Sequence, residues 1–173
     1  MLKGGKIDLV LVASKDECIQ WADLYNNVEE RDESDHTEIV SAKTIQERYE
    51  QNGLWSSGAG AFLVKSKTGD ILGEVSFKSS DTFEATLGYR LFEKTSRRKG
   101  YMTEALTLFC EYLFEMLPIN RIALRMCADN TGSQKVAEKI GFKLEGTLRK
   151  AYFYRGRFVD FLMYGLLREE VSL

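Results

Sequence analysis

The sequence predicts an α+β fold, in which a mixed, mostly antiparallel twisted sheet carries helices on both faces. Two apolar runs, 61–64 and 71–77, flank a turn in which Gly69 supplies the positive φ of a tight hairpin. A strand, a basic loop, an apolar-faced helix and a second strand follow over 85–127, and this order predicts one right-handed βαβ crossover between parallel strands. With 173 residues, 44% of them hydrophobic, we expect one domain over 1–173.

The elements before the basic loop alternate β-rich runs with helical periodicity. Residues 7–12 predict an edge strand, and apolar spacing predicts a helix over 16–25. After a polar stretch, a second helix begins at Ser41 and ends at Gly53. A third β-rich run at 85–92 completes an antiparallel meander with the predicted hairpin and leads directly into the basic loop.

The elements after the basic loop are a helix, a strand, a second helix and a hairpin. Apolar residues recur at helical spacing over 105–117, and Pro118 ends this helix. Alternation predicts a strand over 121–127, and a helix over 130–140 follows, which a glycine ends. An aromatic hairpin over 142–167 closes the predicted sheet.

Composition excludes several classes of function. A net charge of -2 gives no general attraction to nucleic acid or to an anionic membrane, so neither is an expected partner. The three cysteines, Cys18, Cys110 and Cys127, lack CxxC spacing, and His36 is the only histidine. This pattern predicts no metal site and a reduced, cytoplasmic location. The N-terminal residues lack the apolar core of a signal peptide, and no apolar run reaches the length of a spanning helix.

The most informative segment joins a basic loop, Arg97-Arg98-Lys99-Gly100, to the start of a helix. Unpaired N–H groups and the helix dipole make such a start a binding site for phosphate, and the three cations add charge. The loop lacks the second glycine of a Walker loop and the spaced glycines of a dinucleotide fingerprint. Taken alone, it predicts either a pyrophosphate cradle or a solvated run of charge.

Further motifs decide between these alternatives, because their order and spacing resemble the GNAT N-acetyltransferases. Within that superfamily, the sequence is most similar to the RimJ/RimL type, which acetylates α-amino groups of ribosomal proteins. The resemblance covers about residues 71–167 and rests on Arg97-x-x-Gly100-x-Met102, Thr103-Glu104-Ala105-Leu106, Asn130-x-x-Ser133, Val136-Ala137-Glu138-Lys139-Ile140-Gly141-Phe142 and Glu145-Gly146.

The resemblance implies that acetyl-CoA binds where the strand over 85–92 and the strand over 121–127 splay apart. It implies that pantetheine amides pair with the backbone of Leu91 and Phe92, as an added strand would. It places Asn130 and Ser133 beside the pantetheine arm and the thiol, a role compatible with simple N-capping. It assigns the pyrophosphate to backbone N–H groups of Arg97, Arg98, Lys99, Gly100, Tyr101, Met102 and Thr103.

The implied chemistry is direct transfer, in which an amine attacks the thioester carbonyl and CoA thiolate leaves. We expect a backbone N–H near Leu91 or Phe92 to stabilise the oxyanion, because a fixed amide needs no reorganisation. Ser133 is the family-matched hydrogen-bond donor to the departing thiolate, since the helix after Asn130 carries no tyrosine.

The general base is where the sequence departs from the family. Members often carry Glu at the second position of an Ala-Glu-Ile-Gly-Tyr run, and here that position is Thr86. Glu84, on the same strand face, or Glu74, on the adjacent strand, are candidates that would act through water, and His36 is a third. For each of these side chains, the alternative to a catalytic role is a purely structural role or simple exposure to solvent. A fourth possibility is no dedicated base, because an α-amine is already partly neutral near pH 7.

The acceptor is the least determined part. The acidic run 29–38 would attract a cationic amine if it borders the cleft, or it is a solvated loop. Aromatic residues around Tyr152 and Phe161 would wall the cleft or simply pack the sheet, and Trp55 would stack on a flat acceptor. We therefore expect a protein N-terminus as acceptor, with a small amine (a polyamine, an aminoacyl compound or an antibiotic) as the alternative. A second class of function, a non-catalytic CoA-binding module on the same fold, is also compatible with the sequence. In either case we expect a monomer or a homodimer.

Overall fold

The computed structural model describes residues 1–31, 38–79 and 83–171. In chain order, its helices and strands are β1 (Leu2–Lys3), β2 (Ile7–Val10), α1 (Lys15–Asn26), α2 (Ala42–Asn52), β3 (Ala59–Ser66), β4 (Ile71–Ser79), β5 (Glu84–Leu91), α3 (Tyr101–Met116), β6 (Arg121–Cys127), α4 (Thr131–Ile140), β7 (Lys143–Tyr154) and β8 (Arg157–Leu167). Two short 3-10 turns lie at Lys94–Ser96 and Arg168–Glu170.

The eight strands form one sheet in the order β1-β2-β3-β4-β5-β6-β8-β7. Among the described residues, every neighbouring pair is antiparallel except β5 and β6, which α3 joins as a parallel crossover. The predicted α+β fold is confirmed. The strand predicted over 7–12 ends at Val10, and the two-residue strand β1 was too short to produce a periodic signal.

Helices cover both faces of this sheet, as β3 illustrates. Adjacent side chains of a strand point to opposite faces. Leu63 packs with buried residues of α1 and α2, whereas its neighbours Phe62 and Val64 belong to the main core, which contains the buried face of α3. Each fully buried side chain of this size contributes about 1.5–3 kcal/mol. Within the described residues, no helix is long and apolar enough to cross a membrane.

Candidate active site

A cleft of about 980 Å³ opens where β5 and β6 separate. The two strands pair in parallel from Glu84 to Leu87 of β5, after which β6 continues only alongside β8. The cleft is lined by the second half of β5, the basic loop, the first turn of α3, the end of β6 and the start of α4. This is the splay that the sequence predicts as the acetyl-CoA site.

The open edge of β5 supplies backbone groups to the cleft. The N–H of Phe92 donates to the carbonyl of Leu72, 2.9 Å away, and therefore points away from the cleft towards the start of β4. Because backbone groups alternate sides along a strand, those of Leu91 and Tyr89 face the open edge. Phe92 is fully buried and does not line the cleft, which corrects its assignment as a pantetheine contact. Leu91 and Tyr89 both line the cleft.

The basic loop brings helix N–H groups to the opposite side of the same cleft. Gly100 is the N-cap of α3, with a φ of 83°, and no side chain among the described residues caps the helix start. The first-turn N–H groups are thus not blocked by a capping side chain, as an anion site requires. Of the seven predicted cradle residues, six line the cleft: Arg97, Arg98, Gly100, Tyr101, Met102 and Thr103. The exception is Lys99, whose carbonyl accepts a hydrogen bond from Lys6 Nζ at 3.2 Å.

Lys6 and Glu104 hold the N-terminal strands against this loop. The carboxylate of Glu104 accepts hydrogen bonds from the backbone N–H groups of Gly5 and Lys6, the latter at 3.0 Å. Lys6 Nζ lies 3.3 Å from the position that a Cβ would take on Gly100. A side chain at position 100 would therefore meet this ammonium group and would also adopt a strained left-handed φ.

The start of α4 carries the two polar residues that the sequence singles out. Asn130 Oδ1 accepts from the backbone N–H of Ser133 at 3.0 Å, so Asn130 is an N-cap as well as a cleft residue. Ser133 also lines the cleft. The structure thus brings both residues to the end of the cleft where the resemblance places the thiol.

A tyrosine that sequence reasoning missed reaches the same place from β5. Tyr89 lines the cleft, and its hydroxyl lies 3.4 Å from the carbonyl oxygen of Ser133. Burial raises the pKa of Tyr89 to about 12, so this phenol stays protonated as a hydrogen-bond donor. Tyr89 belongs to β5 and not to α4, the helix in which the family pattern would place a tyrosine. The Gly88-Tyr89 pair, which lies where β5 and β6 separate, is the sequence signal that could have identified it.

The two candidate carboxylates lie in different environments. Glu84 stands opposite Arg121 in the paired part of β5 and β6, and its Oε2 lies 2.8 Å from Arg121 Nε. At about 3.3 Å per residue, Glu84 is about 10 Å from Leu87, the first residue of β5 that lines the cleft. It does not line the cleft. The structure therefore corrects the assignment of Glu84 as a base.

Glu74 lies next to the cleft, beneath α1. It pairs in register with Arg90, a buried residue that lines the cleft. Glu74 Oε2 is shielded from water and has no hydrogen-bond partner among the described residues. Burial raises the pKa of Glu74 to about 7, although Trp21 and Arg90 act in the opposite direction. Arg90 Nη1 donates to the carbonyl of Tyr25 at 3.1 Å.

The acceptor side is only partly described. Tyr152, Tyr154 and Phe161 of the terminal hairpin wall the cleft, as one of the two interpretations expects. Trp55 instead packs in an aromatic cluster with Phe62, Phe77 and Tyr112, which corrects its role as an acceptor-stacking residue. His36 and most of the acidic run lie outside the described residues.

The remaining nucleophilic and metal-binding side chains add little to the site. Cys18, Cys110 and Cys127 are buried free thiols, and Cys127 lines the cleft. Burial raises the pKa of the Cys127 thiol, which keeps it protonated near neutral pH. Within residues 1–31, 38–79 and 83–171, no group of three or more His, Cys, Asp or Glu side chains could hold a metal ion.

Known proteins share both the sequence pattern and the fold. The family described as "Acetyltransferase (GNAT) domain" matches residues 7–143. An uncharacterized N-acetyltransferase, p20 of Bacillus licheniformis, is 26% identical over 161 residues, which cover 90% of this chain and 87% of that protein. The structure of RimL, a ribosomal L7/L12 alpha-N-protein acetyltransferase in complex with coenzyme A, superposes with a TM-score of 0.83, 20% identity and 97% coverage of each chain.

A second structural relative acts on a different class of amine. It is spermidine N-acetyltransferase from Vibrio cholerae, in complex with CoA and spermine. Its TM-score is 0.82 at 18% identity, and the alignment covers 96% of this chain and 98% of that one.

Proposed function

The chain belongs to the GNAT acetyltransferase family, and we propose that it transfers the acetyl group of acetyl-CoA to the N-terminal α-amine of a protein, by resemblance a ribosomal one. Its activity as an N-acetyltransferase follows from the family. The single observation that supports the proposed site is the cleft, in which the open edge of β5 faces the uncapped start of α3.

The residues of the cleft fit CoA in three parts. Backbone N–H groups of the loop and the first turn of α3 bind the pyrophosphate, with Arg97 and Arg98 adding charge. Backbone groups of Leu91 and Tyr89 pair with the pantetheine amides. Asn130 and Ser133 line the cleft, and the resemblance implies that they would lie beside the thiol end. Bound here, acetyl-CoA supplies an activated acyl group as its thioester.

The chain's own groups then serve the transfer. The backbone N–H of Tyr89 or Leu91 donates to the oxyanion that develops on the carbonyl as the new C–N bond forms. When the C–S bond breaks, Ser133 Oγ donates a hydrogen bond to the thiolate. Glu74, which pairs in register with the cleft residue Arg90, is the candidate that accepts the proton of the ammonium, because its pKa of about 7 suits a base at neutral pH.

A small amine is the second candidate acceptor. The carboxylates of Glu29 and Glu30 follow α1, and Glu30 contacts the turn that precedes the basic loop. Negative charge at this position would attract a polyamine as well as a protein N-terminus. We propose that the enzyme is cytoplasmic and monomeric or homodimeric with either acceptor.

The experiment pools ribosomal proteins, polyamines, aminoacyl compounds and amine antibiotics as acceptors. Acetyl-CoA is added, thiol release is followed, and mass spectrometry identifies which acceptor gains an acetyl group. Acetylation of a protein N-terminus supports the proposal, whereas acetylation only of a small amine supports the second candidate. CoA binding without acceptor-stimulated thiol release would show a non-catalytic CoA-binding module and would overturn the proposal.

A further inference from the structure

We infer that Glu30 is a positioning residue for the CoA site, which shapes the phosphate loop from outside it. This inference rests on the proposed function, because it assigns Glu30 to the same cleft. Glu30 belongs to the segment after α1, more than sixty residues before the loop. In the sequence it reads as one of several acidic residues that would attract an amine.

The carboxylate of Glu30 is already bound within the protein. Its Oε2 accepts a hydrogen bond from the backbone N–H of Lys94 at 2.7 Å. Lys94 is the first residue of the 3-10 turn Lys94–Ser96, and the preceding Glu93 contributes no capping side chain. Glu30 therefore acts as the cap of this turn, supplied from a distant segment.

Two further contacts join the same segment to the loop. Lys94 Nζ donates to the carbonyl of Glu29 at 2.6 Å, and Arg97 Nη2 donates to the carbonyl of Glu30 at 3.1 Å. Arg97 follows the turn directly and precedes Arg98, whose φ is in the left-handed region at 62°. The three contacts hold both ends of the turn that sets the direction of the phosphate loop.

Electrostatics and positioning predict opposite effects for the loss of this carboxylate. A negative charge near the phosphate loop repels a polyanionic ligand, so charge alone predicts that Glu30→Ala tightens CoA binding. If Glu30 positions the loop, its loss frees the turn and weakens CoA binding instead. Loss of a cap corresponds to about a fivefold change in affinity, equivalent to about 1 kcal/mol.

Calorimetric titration of CoA into the wild type and three variants tests the inference. We expect about fivefold weaker binding for Glu30→Ala. Glu30→Gln should stay within about twofold of the wild type, because its amide oxygen still accepts from the Lys94 N–H. Glu29→Ala is the matched control, since it removes the same charge from the same segment and should not weaken binding. Equal or tighter binding by Glu30→Ala overturns the inference.

A second pair of variants tests the hydrogen bond from the donor side. Lys94→Pro removes the N–H itself, and proline suits the first position of a helical turn after the extended Glu93. Lys94→Ala removes only the ammonium contact. Binding about fivefold weaker in Lys94→Pro than in Lys94→Ala supports the inference, and equal affinities overturn it. If the wild type itself fails to bind CoA, the proposed function fails, which is a distinct result.

Discussion

Replacing Glu74 with glutamine should remove a pH dependence of stability that is unusual for a carboxyl group. Glu74 Oε2 is shielded from water, and burial raises its pKa from 4.5 to about 7. Between these two values the unfolded chain has lost this proton and the folded chain keeps it. The free energy of unfolding therefore falls as the pH rises from about 4.5 to about 7.

The magnitude follows from the difference between the two pKa values. Each pKa unit corresponds to about 1.4 kcal/mol, so ionising Glu74 costs the folded state about 3 kcal/mol once the pH exceeds 7. Only a small part of this cost is present at about pH 5. The Glu74→Gln variant has no such proton, so the wild type should lose about 2–3 kcal/mol relative to the variant between about pH 5 and about pH 8.

Urea-induced unfolding of both proteins at these two pH values provides the measurement. Asp70→Asn is the control, because hydrogen bonds from Thr68 and Ser66 lower the pKa of Asp70 and leave it ionised in both states throughout this range. Its effect on stability should be the same at both pH values. Parallel pH profiles for the wild type and Glu74→Gln would show that the carboxyl is not held in a desolvated site, and would remove the physical basis for Glu74 as a base.

Three further predictions concern the cleft. Gly100→Asp should weaken CoA binding at least tenfold in calorimetry, because the new side chain meets Lys6 Nζ, strains the left-handed backbone and adds negative charge. Gly146→Ala is the control and should leave CoA binding unchanged, because no described residue beyond its chain neighbours lies within 4 Å of the new Cβ. Ser133→Ala should lower kcat more than it raises the acceptor KM, and a pure KM effect would contradict its role at the thiolate. Asn130→Ala should lower stability by about 1 kcal/mol in thermal unfolding through loss of the α4 cap, and an unchanged Tm would contradict that capping role.

The elements around the proposed CoA cleft were predictable because their signals are local. Gly100 and the apolar spacing of the following helix lie within one short stretch; the predicted helix is confirmed as α3, and the structure adds that Gly100 is its left-handed N-cap. Asn130 and Ser133 are three residues apart, a spacing that brings them together at any helix start. Such features depend on chain geometry over a single turn, and distant residues do not alter them.

Register explains why Phe92 was wrongly assigned. A strand presents alternate backbone groups to its two neighbours, so a displacement by one residue exchanges the edges they face. Which residues face the cleft depends on how β4 pairs with β5, and Phe92 is bound by the distant Leu72. The sequence of the strand alone contains no information about this choice.

Contacts with residues distant in sequence also distinguish Glu84 from Glu74 as candidate bases. Glu84 and Glu74 both belong to strands that lead towards the cleft, and the sequence could not rank them by burial. Arg121, from the parallel strand, binds Glu84 at the closed end of the splay. Glu74 remains a candidate base because its Oε2 is buried without a hydrogen-bond partner among the described residues and burial raises its pKa.

The sequence does not identify the acceptor, because acceptor recognition depends on side chains that come from distant segments of the chain. In the proposed site, CoA would be held mainly by backbone groups, which the fold itself places, whereas the acceptor would meet side chains such as those of the terminal hairpin. Backbone sites tolerate changes of sequence that would abolish side-chain recognition. Two structures with acceptors as different as a ribosomal protein and spermidine can therefore match this chain with TM-scores of 0.83 and 0.82. Acceptor specificity must then be sought in side chains such as those of Tyr152 and Phe161, which line the cleft, rather than in the shared cradle.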